Sequence, residues 1–358
     1  MKILAINPGS TSTKISVYED LTEIFTKTLR HETEVISQYH TIYSQFDFRK
    51  KIILETLKEE NISICDIECC VGRGGVIKPV PGGVIRVNDH LIEDLKVVGI
   101  MGEHASNLGG VLAHEIASET KFPQNCFIVD PVVVDELEPL ARYSGHPAIE
   151  RMSIFHALNQ KAVAHSHARK VHKKYEELNL IVIHLGGGVT VGAHKKGRVV
   201  DVNNGLNGDG PFSPERSGSL PMFQFASLCF SEKYDFNTIK KMITGNGGLV
   251  AYLGSNNGIE IEKMIANGDK KAEEVYNAMC YQIAKEIGAM AAVLDGNVDY
   301  ILITGGLAYS NIIVKYISDK VRFIAPIEIY PGENEMQALA EGAYYALNGE
   351  YSINEYIR

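Results

Sequence analysis

This chain lacks tryptophan, has no uninterrupted apolar run of about 18 residues, and has no block of lysines and arginines. The missing run argues against a membrane-spanning helix, and the short apolar stretch after Lys2 does not resemble a secretory signal. The formal net charge of -9 favours neither a nucleic-acid arm nor a polybasic membrane patch. We therefore expect a cytoplasmic protein without nucleic-acid or membrane partners.

Cysteine is also sparse, with six scattered among 358 residues. The only cluster, Cys65, Cys69 and Cys70, has no second ligand pair at the spacing of a zinc site. Reduced and mostly buried thiols are expected instead of a disulfide scaffold. The chain is long enough for two domains, and its composition, 45% hydrophobic and 22% charged, is typical of a globular enzyme.

The chain begins with a glycine-tipped hairpin. Residues 2–7 are nearly all apolar, as in a strand buried on both faces, and Pro8-Gly9-Ser10 then forces a turn. The β-branched, alternating residues 12–18 predict a second strand. Similar patterns recur at 180–193, where a shift of 177 positions places Asn7 on His184 and Thr13 on Thr190. This offset is almost half of the chain, so a duplicated α/β unit is indicated.

A third glycine turn follows the apolar residues 301–304, and helical periodicity covers residues 153–174, 270–294 and 335–347. Strands that alternate with helices predict an α/β sandwich. Neither a G-x-x-x-x-G-K-[ST] loop nor a G-x-G-x-x-G fingerprint is present, because Val191 stands where the last glycine belongs. Glycine turns after buried strands still expose backbone N–H groups, which phosphate oxygens require.

A series of short motifs resembles the acetate and butyrate kinase family, within the sugar kinase, Hsp70 and actin superfamily. They cover nearly the whole chain in the order of that family. The motifs are Ile6-Asn7-Pro8-Gly9-Ser10-Thr11-Ser12-Thr13-Lys14, Gly72-Arg73-Gly74-Gly75, His104-Ala105-Ser106-Asn107-Leu108-Gly109, Val129-Asp130-Pro131, Ile154-Phe155-His156, His184-Leu185-Gly186-Gly187-Gly188, Arg216-Ser217-Gly218, Thr304-Gly305-Gly306 and Asn334-Glu335.

The resemblance implies two duplicated ribonuclease H-like α/β domains with a nucleotide cleft between them. The expected N-terminal lobe comprises residues 1–153 plus 337–358, and the C-terminal lobe residues 154–336. The implied activity is reversible phosphoryl transfer between ATP and a short-chain carboxylate, with ATP/ADP and Mg²⁺ as cofactors. The family also implies a homodimer or a higher homo-oligomer.

Three motif details resemble the butyrate kinase branch more than the acetate kinases. Acetate kinases typically carry N-A-G-S-S-S-L-K and H-L-G-N-G, whereas this chain has Pro8, Thr11 and Gly187 at the corresponding places. Butyrate or a similar short or branched fatty acid is the expected substrate, and acetate or propionate is the alternative. An ATP-driven conformational switch of the actin or Hsp70 type is a further alternative, although Asn7 stands where many such relatives carry Asp.

A carboxylate nucleophile is already an anion at neutral pH, so cations and hydrogen-bond donors matter more than a general base. The resemblance assigns Arg216 and Arg73 to catalysis, Arg73 also to the substrate, and His156 to the transferring phosphoryl. His104 is expected at the substrate and His184 near the phosphates. From the residues alone, a surface salt bridge is slightly favoured for Arg216, and a core histidine bonded to backbone is the usual interpretation of His156.

The resemblance assigns Mg²⁺ to Asp130 and Glu335, with Glu333 as a competitor, although either carboxylate also suits a helix cap. Asp130 and Asn7 are further counted as catalytic. The other expected nucleotide contacts lie in the three glycine turns and one asparagine turn, where the asparagines also suit a simple turn. These contacts are Ser10, Ser12, Lys14, Gly186, Gly187, Gly188, Ser255, Asn256, Asn257, Gly305 and Gly306.

Overall fold

The computed structural model describes residues 1–97 and 104–357. The chain divides into two compact units, Met1–Val134 with Asn334–Arg358, and Asp135–Glu333. The sequence prediction places the boundaries at 153 and 336 instead. Residues 135–153 belong with the second unit because Glu136 accepts a hydrogen bond from the backbone of Val199 and pairs with Lys161 at 3.0 Å.

The first unit is built on a seven-stranded sheet with the strand order β12-β5-β6-β4-β1-β2-β3. Strands β1, β4 and β6 are parallel, and β1, β2 and β3 form an antiparallel meander. The strands are β1 (Lys2–Pro8), β2 (Ser12–Glu19), β3 (Thr22–Arg30), β4 (Cys69–Arg73), β5 (Val84–Arg86), β6 (Cys126–Val129) and β12 (Ile353–Glu355).

Helices cover both faces of this sheet, which explains why its central strands are apolar throughout. Helix α12 packs on one face of β1, β4 and β6. Helix α4 packs on the other face of the same strands, where it joins an apolar core that includes Ile53 of α2 and Leu91 of α3. The helices are α1 (Thr33–Ile36), α2 (Phe46–Glu59), α3 (Asp89–Lys96), α4 (Asn107–Ala117) and α12 (Glu335–Leu347).

The second unit contains a five-stranded sheet with the order β11-β10-β7-β8-β9. Strand β7 is parallel to β10 and begins an antiparallel meander with β8 and β9. The strands are β7 (Asn179–Leu185), β8 (Val189–Lys195), β9 (Arg198–Val202), β10 (Tyr300–Gly305) and β11 (Ile327–Pro331). Helix α10 covers one face and α5 the other. The helices are α5 (Ala157–Lys170), α6 (Met222–Cys229), α7 (Phe236–Ile243), α8 (Gly248–Leu253), α9 (Gly258–Ala266), α10 (Lys270–Val293) and α11 (Asn311–Val321).

The two units repeat one topology, as the sequence predicts. The order β3-β2-β1-β4-β6 in the first unit corresponds to β9-β8-β7-β10-β11 in the second, with the same strand directions. The shift of 177 positions holds for the first strand but not for the second. Lys14 pairs with Asn7, whereas Thr190 pairs with His184, so Thr190 corresponds to Lys14 and not to Thr13. The second turn is one residue shorter.

Within residues 1–97 and 104–357, no helix combines the length and the apolar character needed to cross a membrane.

Candidate functional site

In the first unit, Asn7, Arg73 and Glu335 come together at the carboxyl ends of β1 and β4. The Asn7 Nδ2 donates to Glu335 Oε2 at 2.7 Å, and the Arg73 guanidinium forms an ion pair with Glu335 Oε1. Glu335 is the first residue of α12, where a carboxylate is favoured by the helix dipole. One carboxylate thus orients an amide and a cation that belong to adjacent parallel strands.

The turn between β1 and β2 carries the hydroxyls that the sequence predicts at a phosphate. Lys14 lies directly opposite Asn7 in the antiparallel ladder, so both side chains extend from the same face of the sheet. Ser10 is exposed and Ser12 half-buried. In the part of the chain that the structure describes, the backbone N–H groups of Ser10 and Thr11 donate no hydrogen bond, which leaves them for a ligand.

Asp130 follows β6 in a left-handed backbone conformation, with a φ of 37°. Its buried carboxylate accepts a hydrogen bond from the Gly83 N–H at 2.6 Å. Arg73 pairs with Val129 in the sheet, so Asp130 stands one residue beyond the arginine on the neighbouring strand. Among the described residues, no group of three or more His, Cys, Asp or Glu side chains is arranged to hold a metal ion.

His104 lies in the loop before α4, with its Nδ1 at 2.7 Å from the Ser106 hydroxyl. Desolvation by the surrounding protein, and then the charge of Arg73, lower the pKa of His104 below its ordinary value. A neutral imidazole close to Arg73 suits a hydrogen-bonding role at the substrate better than a second cation. Helix α4 reaches this edge because Gly72 and Gly109 allow the two backbones to touch.

The second unit brings His156 and His184 together at the matching strand end. Their rings stack with centroids 3.7 Å apart and planes within 10° of parallel. His184 Nδ1 is 2.7 Å from Asn159 Oδ1, and its Nε2 is 3.1 Å from Glu333 Oε1. His184 therefore lies between the Asn159 side-chain oxygen and the Glu333 carboxylate, which both accept hydrogen bonds. Glu333 therefore serves His184 in this structure.

A chain of buried hydrogen bonds determines which nitrogen of His156 carries its proton. Gln160 Nε2 donates to the carbonyl and hydroxyl oxygens of Thr190 at 3.1 and 2.9 Å, which fixes the orientation of its amide. Gln160 Oε1 must then accept from His194 Nε2 at 3.0 Å, so His194 Nδ1 accepts from the Tyr175 hydroxyl at 2.7 Å. Burial lowers the pKa of His194 well below its ordinary value, so that ring stays neutral.

The Thr190 hydroxyl links this chain of hydrogen bonds to His156. The Thr190 hydroxyl accepts a hydrogen bond from Gln160 and lies 2.9 Å from His156 Nδ1. Among the described residues, His156 Nδ1 is the acceptor that the Thr190 hydroxyl proton can reach. Because Thr190 is fully buried, its hydroxyl proton has to be used, and His156 Nδ1 must accept it. His156 is therefore held as the Nε2–H tautomer, which presents a hydrogen-bond donor.

Replacing Thr190 with valine removes this hydroxyl at nearly constant volume. We expect kcat to fall about tenfold to a hundredfold, because His156 loses the donor that selects its tautomer. The pH dependence of kcat should shift at the same time, which a simple packing defect would not produce. The control is Thr26→Val, whose hydroxyl contacts Ser16 in the first unit. An unchanged kcat and pH profile in Thr190→Val would contradict this tautomer assignment.

Arg216 lies against the triple-glycine turn of the second unit. A β-carbon at Gly188 would overlap the Arg216 guanidinium, and one at Gly205 would approach it to 3.4 Å. Arg216 Nη1 donates to the Gly205 carbonyl, whereas its buried Nε has no hydrogen-bond partner among the described residues. Burial lowers the pKa of Arg216, and neighbouring Glu215 opposes that shift. An arginine with an unused buried N–H is suited to receive an anion.

The triple-glycine turn is held by the segment that carries Arg216. The Gly187 carbonyl accepts from the Ser213 hydroxyl at 2.6 Å and from the Glu215 N–H at 3.3 Å. The carbonyl and N–H of one peptide unit point in opposite directions, so the Gly188 N–H is directed away from this segment. It donates no hydrogen bond within residues 1–97 and 104–357. A β-carbon at Gly186 would come within 2.8 Å of His184 Nε2.

The three predicted residues of the asparagine turn have hydrogen-bond partners within the second unit. Asn257 caps α9 by accepting from the N–H groups of Ile259 and Glu260, which is the turn role that the sequence left open. Ser255 donates to Glu260 at 2.7 Å, and Asn256 donates to Glu215 at 2.5 Å.

The two glycines of the third turn, Gly305 and Gly306, differ in their surroundings. Gly305, with a φ of 94°, is required because a β-carbon would overlap the Leu185 backbone. Gly306 has open space where a side chain would be.

Sequence reasoning missed the residues that orient the predicted ones. Asn159, Gln160 and Thr190 hold the two histidines, and Arg49 holds the first turn. The sequence did give an indication for Thr190, since this residue lies on the second glycine hairpin. The sequence gave no such indication for Arg49, because this residue belongs to an ordinary helix that is far along the chain from the turn that it contacts.

The chain belongs to the acetokinase family, since the model of that family matches residues 142–342, more than half of the chain. It is similar to butyrate kinase 2 of Clostridium acetobutylicum, with 55% identity over 355 residues and 99% of both chains covered. In fold it is similar to the acetate kinase of Porphyromonas gingivalis, with a TM-score of 0.79, 20% identity, and 97% and 99% of the two chains covered. A propionate kinase of Francisella tularensis gives a TM-score of 0.76 at 17% identity, with 95% and 98% covered.

Proposed function

We propose that this protein is a carboxylate kinase that transfers a phosphoryl group reversibly between ATP and butyrate or a similar short or branched fatty acid. The observation that carries this proposal is that both units have a similar set of cationic and hydrogen-bonding groups at the ends of their strands. Each unit places an arginine, a histidine and a glycine turn with unused backbone N–H groups at one edge of its sheet. Family membership and the 55% identity to a butyrate kinase support the same assignment.

The two units have different tasks in the mechanism that we propose. In the first, Arg73 binds the carboxylate of the fatty acid, and Asn7, Ser10, Ser12 and Lys14 bind the terminal phosphate. The carboxylate oxygen attacks that phosphorus, the bond to the bridging oxygen of ATP breaks, and ADP leaves with the bond electrons. No proton has to move, because a carboxylic acid with a pKa of about 4 is ionised at neutral pH.

In the second unit, Arg216 and the Nε2–H of His156 are the donors that we assign to phosphoryl oxygens. His184 and the N–H groups of the triple-glycine turn bind the adjacent phosphates. Gly305 and Gly306 let the backbone approach the adenosine, and Ser255, Asn256 and Asn257 lie on its other side in this proposal. These donors are oriented before substrate arrives, which is the condition for electrostatic catalysis.

Magnesium fits this donor set best when it is bound largely by phosphate oxygens and water. Both oxygens of Glu335 are engaged, by Arg73 and Asn7, and one oxygen of Asp130 accepts from Gly83. Mg²⁺ keeps several waters in such sites and needs only one or two carboxylates. We propose that Asp130 and Glu335 hold the ion, partly through its water molecules. The bound ion would neutralise phosphate charge.

The activity is tested by trapping acyl phosphate with hydroxylamine during incubation with ATP and a carboxylate. We expect kcat/KM to be highest for butyrate or isobutyrate and to fall by about tenfold or more for acetate, since a methylene contributes about 1 to 3 kcal/mol to discrimination. A maximum at acetate would refute the butyrate assignment. Hydrolysis of ATP without hydroxamate would instead identify a nucleotide switch.

We also propose that the protein is a cytoplasmic homodimer or larger homo-oligomer. Helix α6 has no buried residue, although most of its side chains are apolar. Phe223 in the helix and Phe230 directly after it are 81% and 87% exposed. Such a surface is costly to leave in water, and a second copy of the chain would cover it. The six cysteines are free thiols, as in a reducing compartment. Sedimentation of the wild-type protein that gives a monomer mass would refute the oligomer.

A further inference from the structure

A fully buried arginine lies beneath the first glycine turn. Arg49 of α2 has no solvent exposure, and it donates to the backbone carbonyls of Gly9, Ser10 and Ser12 at 2.9 to 3.0 Å. Its remaining bonds go to the Thr13 hydroxyl at 2.9 Å and to Gln45 Oε1 at 2.8 and 3.1 Å. All three guanidinium nitrogens are therefore engaged.

None of the five partners is charged. Within residues 1–97 and 104–357, no carboxylate lies at ion-pair distance from Arg49. Burial lowers the pKa of Arg49 to about 10, so the group is still a cation at neutral pH. The same cation contributes, after burial, to lowering the pKa of nearby His31 to about 4. A buried charge without a counter-ion is costly in the absence of a bound anion.

The bonds to the turn also determine where its N–H groups point. In a planar trans peptide unit the carbonyl and the N–H point in opposite directions. Because Arg49 binds the carbonyls of Gly9 and Ser10, the N–H groups that follow, those of Ser10 and Thr11, point away from the guanidinium. These are the same two N–H groups that have no internal acceptor among the described residues.

We propose that Arg49 is a positioning residue for nucleotide phosphate: it holds the first turn with the Ser10 and Thr11 N–H groups facing the ligand and supplies a buried positive charge behind them. Arg49 does not touch the phosphate in this role. The inference rests on the proposed kinase function, since it requires an anion at this turn. In the second unit, Ser213 and the Glu215 N–H bond the glycine turn, and the Arg216 guanidinium lies against Gly188 but donates to Gly205. What distinguishes the first turn is a fully buried cation that is bonded to the carbonyls of the turn itself.

The test compares Arg49→Lys and Arg49→Gln with the wild type, using titration with ATP, ADP and adenosine as well as steady-state kinetics. Lysine keeps the charge but loses the planar fork, whereas glutamine loses the charge. We expect kcat/KM for ATP to fall about tenfold in Arg49→Lys and about a hundredfold in Arg49→Gln. The affinity for adenosine should change less than about twofold in both, because adenosine has no phosphate.

The matched control is Lys51→Gln, which removes the same charge from the same helix on its exposed face, where Lys51 is 74% exposed. It should leave kcat/KM for ATP unchanged. Folded Arg49 variants with wild-type kinetics, or with equal losses for ATP and adenosine, would overturn the proposal. Failure of the wild-type protein to form hydroxamate would instead overturn the kinase function itself.

Gln45→Met provides the test if both Arg49 variants fail to fold. It removes the acceptor of two Arg49 bonds and leaves the cation and the turn intact. We expect KM for ATP to rise about threefold or more, and the amides of residues 10–13 to exchange hydrogen faster than in the wild type. Unchanged KM and unchanged exchange would overturn the positioning role of Arg49.

Discussion

Arg216→Ala is expected to lower kcat by about a hundredfold to a thousandfold, the effect of removing one donor from a preorganised anion site. The guanidinium lies against Gly188, and its buried Nε has no partner among the described residues, so it is placed to bind an anion rather than to stabilise the fold. The dissociation constant for ATP should rise much less than kcat falls, because the cation is needed where charge develops. Single-turnover kinetics and nucleotide titration measure the two effects separately.

A suitable control is Arg322→Ala, which removes an arginine that is 76% exposed and 4.0 Å from its acidic neighbour Asp319. It should leave both kcat and nucleotide affinity unchanged. If Arg216→Ala keeps its kcat and only raises KM, then Arg216 binds the ground state and has no role in stabilising the transition state.

Arg73→Ala should raise KM for the carboxylate substrate by about tenfold to a hundredfold, the range expected for losing a hydrogen bond to a charged group. KM for ATP should change less, because Asn7, Lys14 and the first turn remain. The variant also frees one oxygen of Glu335, which adds an unpaired negative charge next to an anionic substrate and lowers kcat. The measurement is a full kinetic matrix over butyrate and ATP.

Arg86→Ala is the matched control, since Arg86 lies in the same sheet and pairs with Glu355 at 2.8 Å. The side chains of Arg73 and Arg86 are 27% and 31% exposed, so the two variants lose ion pairs in similar surroundings. Equal changes in carboxylate KM for both variants would show that the effect comes from the fold and not from substrate binding.

The fold could be predicted from the sequence because its central strands are apolar on both faces, and three of them, β1, β7 and β10, lead into glycine turns. Helix α12 begins and ends at the predicted residues 335 and 347, and the predicted 270–294 helix spans Lys270–Val293. The exact pairing in the second hairpin could not be predicted, since a turn that is one residue shorter leaves the same pattern of apolar residues.

Candidate site residues could be named because glycine, arginine and histidine occur at the ends of strands. Their orientation could not be predicted, because it depends on contacts between distant segments. Glu335 orients Asn7 and Arg73, Thr190 orients His156, and Arg49 orients the first turn. Nothing in the local sequence around Arg49 indicates that its charge is buried, since helices with arginine usually expose it.

The return of the chain to its first unit has a consequence for biosynthesis. Asn7 is hydrogen-bonded to Glu335, a residue 328 positions later, and β5 pairs with β12. The second unit is one continuous stretch, so all of its strands have left the ribosome before the first unit is complete. The unit whose translation begins first is therefore the unit that completes its fold last. A premature stop before α12 removes Glu335, the carboxylate that binds both Asn7 and Arg73.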